Sequence, residues 1–211
     1  RQQARVVFNE AKWQITQSPA LSGVCKVYRD VIEVPSTGAI YRVLSSDAKL
    51  QQGLNPSTVI FDEAHIQPNE ELWNALTLGS GARKDPNIIA ITTAGYDLDS
   101  LCGRLYNYGK RVIAGDQVDE RFGFWWWEAP ADCDISDRNA WFAANPNLAE
   151  GLLDIEDMEI SMMQTAEVSF RRYRLCQWVR TDGESWLPKG GWELCRSEDE
   201  LDPNIPVFVG I

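Results

Sequence analysis

Two short apolar runs constrain the fold of this chain more than any other feature. Thr58-Val59-Ile60-Phe61 and Asn87-Ile88-Ile89-Ala90-Ile91-Thr92 are rich in β-branched residues, shorter than typical helices and bounded by turn-forming residues. Such runs suit strands of a parallel sheet, which are apolar on both faces because helices cover them from both sides. A helical stretch from about Asn69 to Leu78 separates the two runs. Another, from about Leu98 to Ala114, follows them and stops at Gly115. Strand and helix in alternation imply a parallel α/β sheet.

Upstream, Gln3 to Thr16 reads as an amphipathic helix, with Ala4, Val7, Phe8, Ala11 and Ile15 at helical spacing and Ser18-Pro19 as its end. Val24 to Val34 is strand-like, and Ser36-Thr37-Gly38 turns the chain into a second run, Ala39 to Leu44. Gly123 to Glu128 reads as a third strand of the α/β part. Beyond Ala129 the pattern is mostly helical: Asp137–Ala144 and Ile155–Thr165 flank an Asn145-Pro146-Asn147 turn, and a longer helix is expected from Ala166 to Val179. Pro188 to Pro206 is loop-rich and acidic. These shifts divide the chain into an α/β core over residues 1–128, a small helical linker subdomain over 129–200 and the opening strand of a further domain over 201–211.

Composition narrows the function. With 211 residues, 44% of them hydrophobic, the chain can bury the core of one domain with a small appendage. No apolar run reaches membrane-spanning length, and no secretory signal opens the chain. It begins at Arg1 and stops within the apolar run Pro206–Ile211, so we expect it to be an internal piece of a longer protein. The five cysteines are scattered without a Cys-x-x-Cys pair, and His65 is the single histidine. This pattern disfavours zinc sites and disulfide frameworks and suits a reducing cytosol. A net charge of −11 argues against a general nucleic-acid-coating surface, though not against a local contact with DNA.

The chemistry concentrates at the ends of the two apolar runs. Thr58–Phe61 leads directly into Asp62-Glu63-Ala64-His65. Two adjacent acids leaving a strand point in different directions and can take different tasks. Asp62 can hold Mg²⁺ where the metal bridges nucleotide phosphates, and Glu63 can orient and deprotonate an attacking water. The competing reading is a solvated pair near a helix N-terminus. The second run ends in Thr92-Thr93-Ala94-Gly95, whose hydroxyls could sense a γ-phosphate; alone, such an ending is an ordinary exit from a strand. Following the acidic pair by one strand, it gains weight as the second half of a hydrolysis site.

Several blocks taken in order resemble the large terminase subunits of tailed phages. They are Gly53-Leu54-Asn55-Pro56-Ser57, the acidic pair, Ile91-Thr92-Thr93-Ala94-Gly95-Tyr96-Asp97, Ala144-Asn145-Pro146-Asn147-Leu148, Phe170–Leu175 with Gln177-Trp178-Val179, and Trp186-Leu187-Pro188. The resemblance spans nearly the whole chain. It implies a P-loop NTPase-type parallel sheet flanked by helices, and an ATP-driven motor that moves viral double-stranded DNA into a procapsid. A C-terminal nuclease domain of ribonuclease-H-like fold, which would begin at 201–211, would cut the DNA. Asp62 would be the Mg²⁺ aspartate of the Walker B motif and Glu63 the catalytic base. Thr92, Thr93, Ala94 and Gly95 would form the coupling motif at the ATP site. The implied partners are DNA, the portal protein, the small terminase subunit and further copies in a ring, with no membrane. The implied location is the host cytoplasm, docked transiently on the portal.

Two departures accompany the resemblance. No Gly-x-x-x-x-Gly-Lys-[Ser/Thr] occurs in the 211 residues. The basic, glycine-rich Gly79–Lys84 follows the acidic strand rather than preceding it and reads as a surface turn. The fold is therefore expected to lack its phosphate-binding loop within this chain, and the chain alone is expected not to hydrolyse ATP. The carboxylates of a nuclease, with their second divalent-metal site, are also expected outside it. A helicase of the Asp-Glu-Ala-His type is the rival enzyme, disfavoured because its next strand usually ends in Ser-Ala-Thr. A non-catalytic scaffold is the third reading. Trp125-Trp126-Trp127 is read as core and interdomain packing rather than base stacking; Arg171, Arg172, Arg174 and Arg180 could contact DNA phosphates or supply an arginine finger, but are read as a solvated helix face paired with nearby acids. Arg42, Arg83 and Arg104 are further candidates for an arginine finger.

Overall fold

The N-terminal amphipathic segment forms α1 (Gln2–Gln17) in the computed structural model of the protein, which describes residues 2–44 and 51–179. Phe8 is its buried anchor, with its ring centroid 5.4 Å from that of Tyr41. Ser18 caps one further turn, α2 (Pro19–Ser22), by accepting from the Leu21 amide, and Pro19 opens that turn where its missing N–H costs nothing.

The run from Val24 to Val34 is two strands rather than one. β1 (Lys26–Val27) and β2 (Val31–Val34) meet at a bend where the Tyr28 amide donates to the Val31 carbonyl at 2.8 Å. A second turn, with Gly38 at φ 69°, leads to β3 (Ala39–Arg42). The three strands form an antiparallel meander in the order β1-β2-β3. This meander stands beside the parallel pair: connections this short cannot carry the crossover that parallel pairing needs.

Parallel pairing belongs to β4 (Thr58–Asp62) and β5 (Asn87–Ile91), with Thr58 opposite Asn87 and Asp62 opposite Ile91. Their crossover runs through a 3-10 turn (Ala64–Ile66), α3 (Glu71–Gly79) and a second 3-10 turn (Ser80–Ala82). Gly79–Lys84 is the exit of α3, tied down where Arg83 donates twice to the Asn55 carbonyl, at 3.1 and 3.0 Å. After β5 comes α4 (Leu101–Ala114), which begins where the Ser100 hydroxyl accepts from the Gly103 amide and ends at left-handed Gly115.

Val59 and Phe61, on one face of β4, cluster with Leu76 of α3 and with Leu101 and Cys102 of α4. On the other face Ile60 is 41% exposed, and in β5 Ile89 and Ile91 are 40% and 53% exposed. The expectation of strands buried on both faces is thereby corrected, because the described helices cover one face.

Residues 122–128 are extended and alternate inward and outward, but they join no ladder among the described residues, contrary to the expected third strand. Side chains hold them on α4 instead. Phe122 packs on Tyr108 with centroids 4.9 Å apart, and Phe124 stacks on Trp126 at the same spacing. Glu128 accepts from the Tyr106 hydroxyl at 2.6 Å, Lys110 at 2.9 Å and the Trp126 indole at 3.2 Å. Burial, reinforced by that carboxylate, pushes the Tyr106 pKa up to about 12. Of the three tryptophans, Trp126 faces inward, while Trp125 and Trp127 share the outer face and are exposed.

The remainder is helical: α5 (Arg138–Ala144), α6 (Ile155–Gln164) and α7 (Glu167–Tyr173), the first two capped by Asp137 and Asp154. Trp141, Met158, Phe170 and Leu175 are the fully buried centre of their shared core. α7 does not continue to Val179 as expected. The Ala129 amide takes the Leu175 carbonyl at 3.0 Å, Cys176 turns left-handed at φ 52°, and the Gln177 amide group donates to the Pro130 carbonyl at 2.6 Å. Residues 45–50 and 180–211 lie outside the described residues, and with them Arg180, the acidic Glu193–Asp202 segment and the expected strand Val207–Ile211.

Gly109 on α4 meets the ring of Phe124, and a Cβ there would stand 2.4 Å from Cγ. Gly109→Ala should therefore lower stability, since overpacking costs about 1–3 kcal/mol while the helix-propensity gain is only about 1 kcal/mol. Urea unfolding of parent and variant measures the difference, and a more stable variant would show that the 122–128 segment is not seated on α4.

Candidate active site

The parallel register brings the two chemical blocks to the same sheet end. Asp62 is the last residue of β4 and lies opposite Ile91, so that Glu63 and Thr92 leave neighbouring strands side by side. Asp62 is half-buried and makes no hydrogen bond or ion pair with another described residue. It lines a cleft of about 630 Å³ whose walls include Tyr41, Val59, Phe61, Leu72 and Leu76.

Glu63 has φ 54° and ψ 56°, the left-handed region that residues with a Cβ seldom occupy. Such a backbone costs on the order of 1–3 kcal/mol and persists where surrounding contacts dictate it. Here the contacts lie on the next turn. The His65 backbone N–H donates to Thr92 Oγ1 at 3.0 Å, and His65 Nδ1 reaches the same oxygen at 3.0 Å. The Thr92 hydroxyl donates in turn to the Thr93 carbonyl at 2.9 Å.

The same Nδ1 lies 3.0 Å from Glu63 Oε2. Nδ1 has hydrogen-bond geometry toward the Thr92 and Thr93 hydroxyls but not toward Glu63, so Oε2 is buried without a directed donor among the described residues. The ring itself is nearly closed off, its side chain 6% exposed. Burial pulls the His65 pKa below the ordinary value of 6.5; Glu63 opposes the shift and Arg172 adds to it. His65 is therefore neutral at neutral pH. Cys102 Sγ approaches Thr92 Oγ1 at 3.7 Å, and burial raises its pKa. A buried protonated thiol beside a neutral imidazole does not make a Cys-His nucleophile.

Thr93 is half-buried, 3.5 Å from His65 Nδ1 through its hydroxyl, and Ala94 and Gly95 are buried. The Ala94 carbonyl accepts from Arg172 Nε at 3.0 Å, and a Cβ on Gly95 would meet the Trp178 ring at 3.0 Å. Arg172 is 3% exposed, which corrects the reading of all four arginines as a solvated face. Arg171 does fit that reading in part, pairing with Glu167 at 2.8 Å along α7. Arg174 donates to the Ser161 hydroxyl, and Arg104 pairs with Glu70. The residues that sequence reasoning passed over are thus His65, as the bridge between the two blocks, and Arg172 and Trp178, as the contacts behind the second. The only early signal for the latter pair was membership of the Phe170–Val179 block.

The donor set suits a magnesium nucleotide better than an all-protein metal cage. Mg²⁺ keeps waters and takes one or two carboxylates besides phosphate oxygens. Among the described residues Asp62 lines the cleft without a side-chain partner, Glu63 holds an orphaned oxygen, and no group of three or more His, Cys, Asp and Glu is arranged to hold a metal.

A parallel strand pair with acids at one strand end and hydroxyls at the next defines the α/β, P-loop ATPase-type class. The comparisons narrow it further. Residues 1–111 match the family model for the terminase large subunit, ATPase domain. The chain is 31% identical over 219 residues to the terminase large subunit of Enterobacteria phage HK97, covering 98% of this chain and 41% of that protein. It is also 31% identical over 123 residues to Protein YmfN of Escherichia coli (strain K12), covering 56% of this chain and 26% of the relative. The crystal structure of the HK97 bacteriophage large terminase superposes with a TM-score of 0.71 at 28% identity, covering 92% of this chain and 41% of that one. The chain belongs to the terminase large subunit family, not to the helicases weighed as the rival, and spans about two fifths of the length of its HK97 relative.

The depressed His65 pKa has a signed consequence. Between the folded and unfolded values the unfolded chain binds more protons, so stability is fully present above 6.5 and declines as pH falls below it. His65→Gln should remove that component while the carboxylate-driven loss at lower pH remains. Unfolding midpoints between about pH 7.5 and pH 5 provide the comparison; equal pH dependence in parent and variant would contradict a neutral, enclosed imidazole.

Proposed function

We propose that this chain carries the hydrolytic half of an ATPase that drives double-stranded viral DNA into a procapsid. The observation that carries this reading is the approach of the acidic pair and the Thr92–Gly95 segment at one sheet end, bridged by His65. Membership of the terminase family supports it. Asp62 would hold Mg²⁺, directly or through its waters, and Glu63 would take the proton of the attacking water. Thr92 and Thr93 would sense the phosphate state, and Ala94 and Gly95 would carry it onward. Mg²⁺ would neutralise charge developing on the transferring phosphoryl group. The whole protein would also cut DNA through its nuclease domain and act with the portal, the small subunit and further copies in a ring, in the host cytoplasm.

The hydrolytic residues can be separated by their chemistry in the complete large subunit containing this chain. Glu63→Gln keeps shape but cannot accept the water proton. It should bind Mg-ATP normally and turn it over about a hundred- to ten-thousandfold more slowly, the usual cost of losing a general base. Asp62→Asn should weaken Mg²⁺-dependent nucleotide binding instead. DNA packaging should stop in both, whereas cleavage of free DNA by the nuclease domain should persist. Near-parental ATP turnover in Glu63→Gln would return the acidic pair to a structural role. The 211-residue chain alone, without a phosphate-binding loop motif, should show no Mg²⁺-dependent turnover.

A further inference from the structure

Arg172 is a buried cation with no carboxylate partner among the described residues. Its nearest groups are the Ala94 carbonyl, which accepts from Nε at 3.0 Å, the Tyr96 ring, 3.4 Å from Cζ to the centroid, and the Tyr173 ring at 4.6 Å. Burying a guanidinium without a counter-charge is costly, and a solvated position would avoid the cost. The contact also joins two distant parts of the chain: Arg172 lies in the last turn of α7, the helix that gives Phe170 to the core shared with Trp141, whereas Ala94 and Tyr96 follow β5. One residue further along the β5 exit, Gly95 lies against Trp178, which itself packs on Tyr106. Arg172 of α7 and Trp178 just beyond it therefore touch the segment after Thr93 at successive residues.

The acceptors give this contact an unusual sensitivity. A fixed carboxylate would hold a guanidinium through modest rotations of either partner. A peptide carbonyl and an aromatic face attract it only while each points the right way. Rotation of the Ala94 peptide would strip the buried cation of its one directed oxygen among the described residues and force either Arg172 or α7 to move. The charge also acts on the neighbouring site, since it disfavours protonation of His65.

We propose that Arg172 is the positioning residue that transmits movement of the Thr92–Gly95 segment to the helical part of the chain, through the Ala94 carbonyl and the Tyr96 ring. This rests on the ATPase reading above. It assigns Arg172 to coupling rather than to catalysis: among the described residues its side chain makes no contact with either acid of the pair, and it meets Ala94 and Tyr96, which follow Thr93 in the chain.

The test uses the complete large subunit with Arg172→Gln, Arg172→Lys and Tyr96→Leu, measuring ATP affinity, DNA-dependent ATP turnover, base pairs packaged per ATP and unfolding temperature. Arg172→Gln should keep ATP affinity and most of the turnover but lower base pairs per ATP by about three- to thirtyfold, the range typical of coupling positions. Arg172→Lys retains charge and a donor and should recover part of that ratio. Tyr96→Leu keeps apolar cover without the π face and should lower it less. Packaging that falls only in proportion to turnover overturns the proposal, as does failure of all three variants to fold cooperatively, which would assign the contact to stability alone. Glu63→Gln separates the two levels of inference. If it leaves turnover intact, the ATPase reading fails; if it stops turnover while Arg172→Gln leaves base pairs per ATP unchanged, only the coupling role fails.

Discussion

The register between β4 and β5 is the constraint on which the site depends. Asp62 lies opposite Ile91, so the chain leaves both strands at the same level and the next residues, Glu63 and Thr92, are neighbours. A slip of one residue would turn Val59 and Phe61 away from Leu76 and Leu101 and expose the apolar face they share. Core burial therefore fixes the site indirectly. The side chains that set the register are apolar and remote from chemistry, yet they determine whether a carboxylate and a hydroxyl meet. The crossover matters less for its detail than for its length, which must carry α3 over the sheet and return β5 parallel to β4.

Where the interactions that decide structure are local, they can be read in the sequence. α1, α3 and α4 follow helical apolar spacing, and α4 starts at a serine cap and stops at a glycine that the chain displays openly. β4 and β5 announce themselves by branched residues between turns. The misreadings arise where a distant partner decides. Val24–Val34 is apolar enough for one strand, but the Tyr28–Val31 hydrogen bond folds it into two. Gly123–Glu128 alternates as a strand should, yet aromatic stacking and the donors to Glu128 hold it without a ladder. The Ala166–Val179 stretch has helical character throughout, but the Leu175 carbonyl is taken by Ala129 and the helix ends early. Arg172 is the clearest case. Its acceptor is 78 residues away in sequence, and nothing in the local composition distinguishes it from the arginines beside it.

The acidic pair and the Thr92–Gly95 segment were legible as separate motifs because each ends a recognisable strand. Their connection was not, because it runs through His65, whose backbone amide and ring both address the Thr92 hydroxyl. A lone histidine carries little information in sequence, since its function depends on what encloses it. Here enclosure determines its charge. Desolvation and the nearby Arg172 cation together outweigh the pull of Glu63, leaving the ring neutral.

That neutrality matters on the proposed reading of Glu63 as a general base. An imidazolium at 3.0 Å from Oε2 would bind the carboxylate as an ion pair and lower its affinity for the proton of an attacking water. A neutral ring makes no such ion pair: its Nδ1 bonds the Thr92 hydroxyl, and Oε2 is without a directed donor among the described residues. The left-handed backbone at Glu63 fits the same logic. It is a strained conformation maintained by the turn through His65, and Thr92 anchors that turn. A shift of Thr92 when the phosphate state changes would therefore disturb the orientation of the base and, two residues further on, the Ala94 peptide that faces Arg172. Hydrolysis and movement would then share one short segment of chain, and its contacts on either side would set how tightly the two are linked.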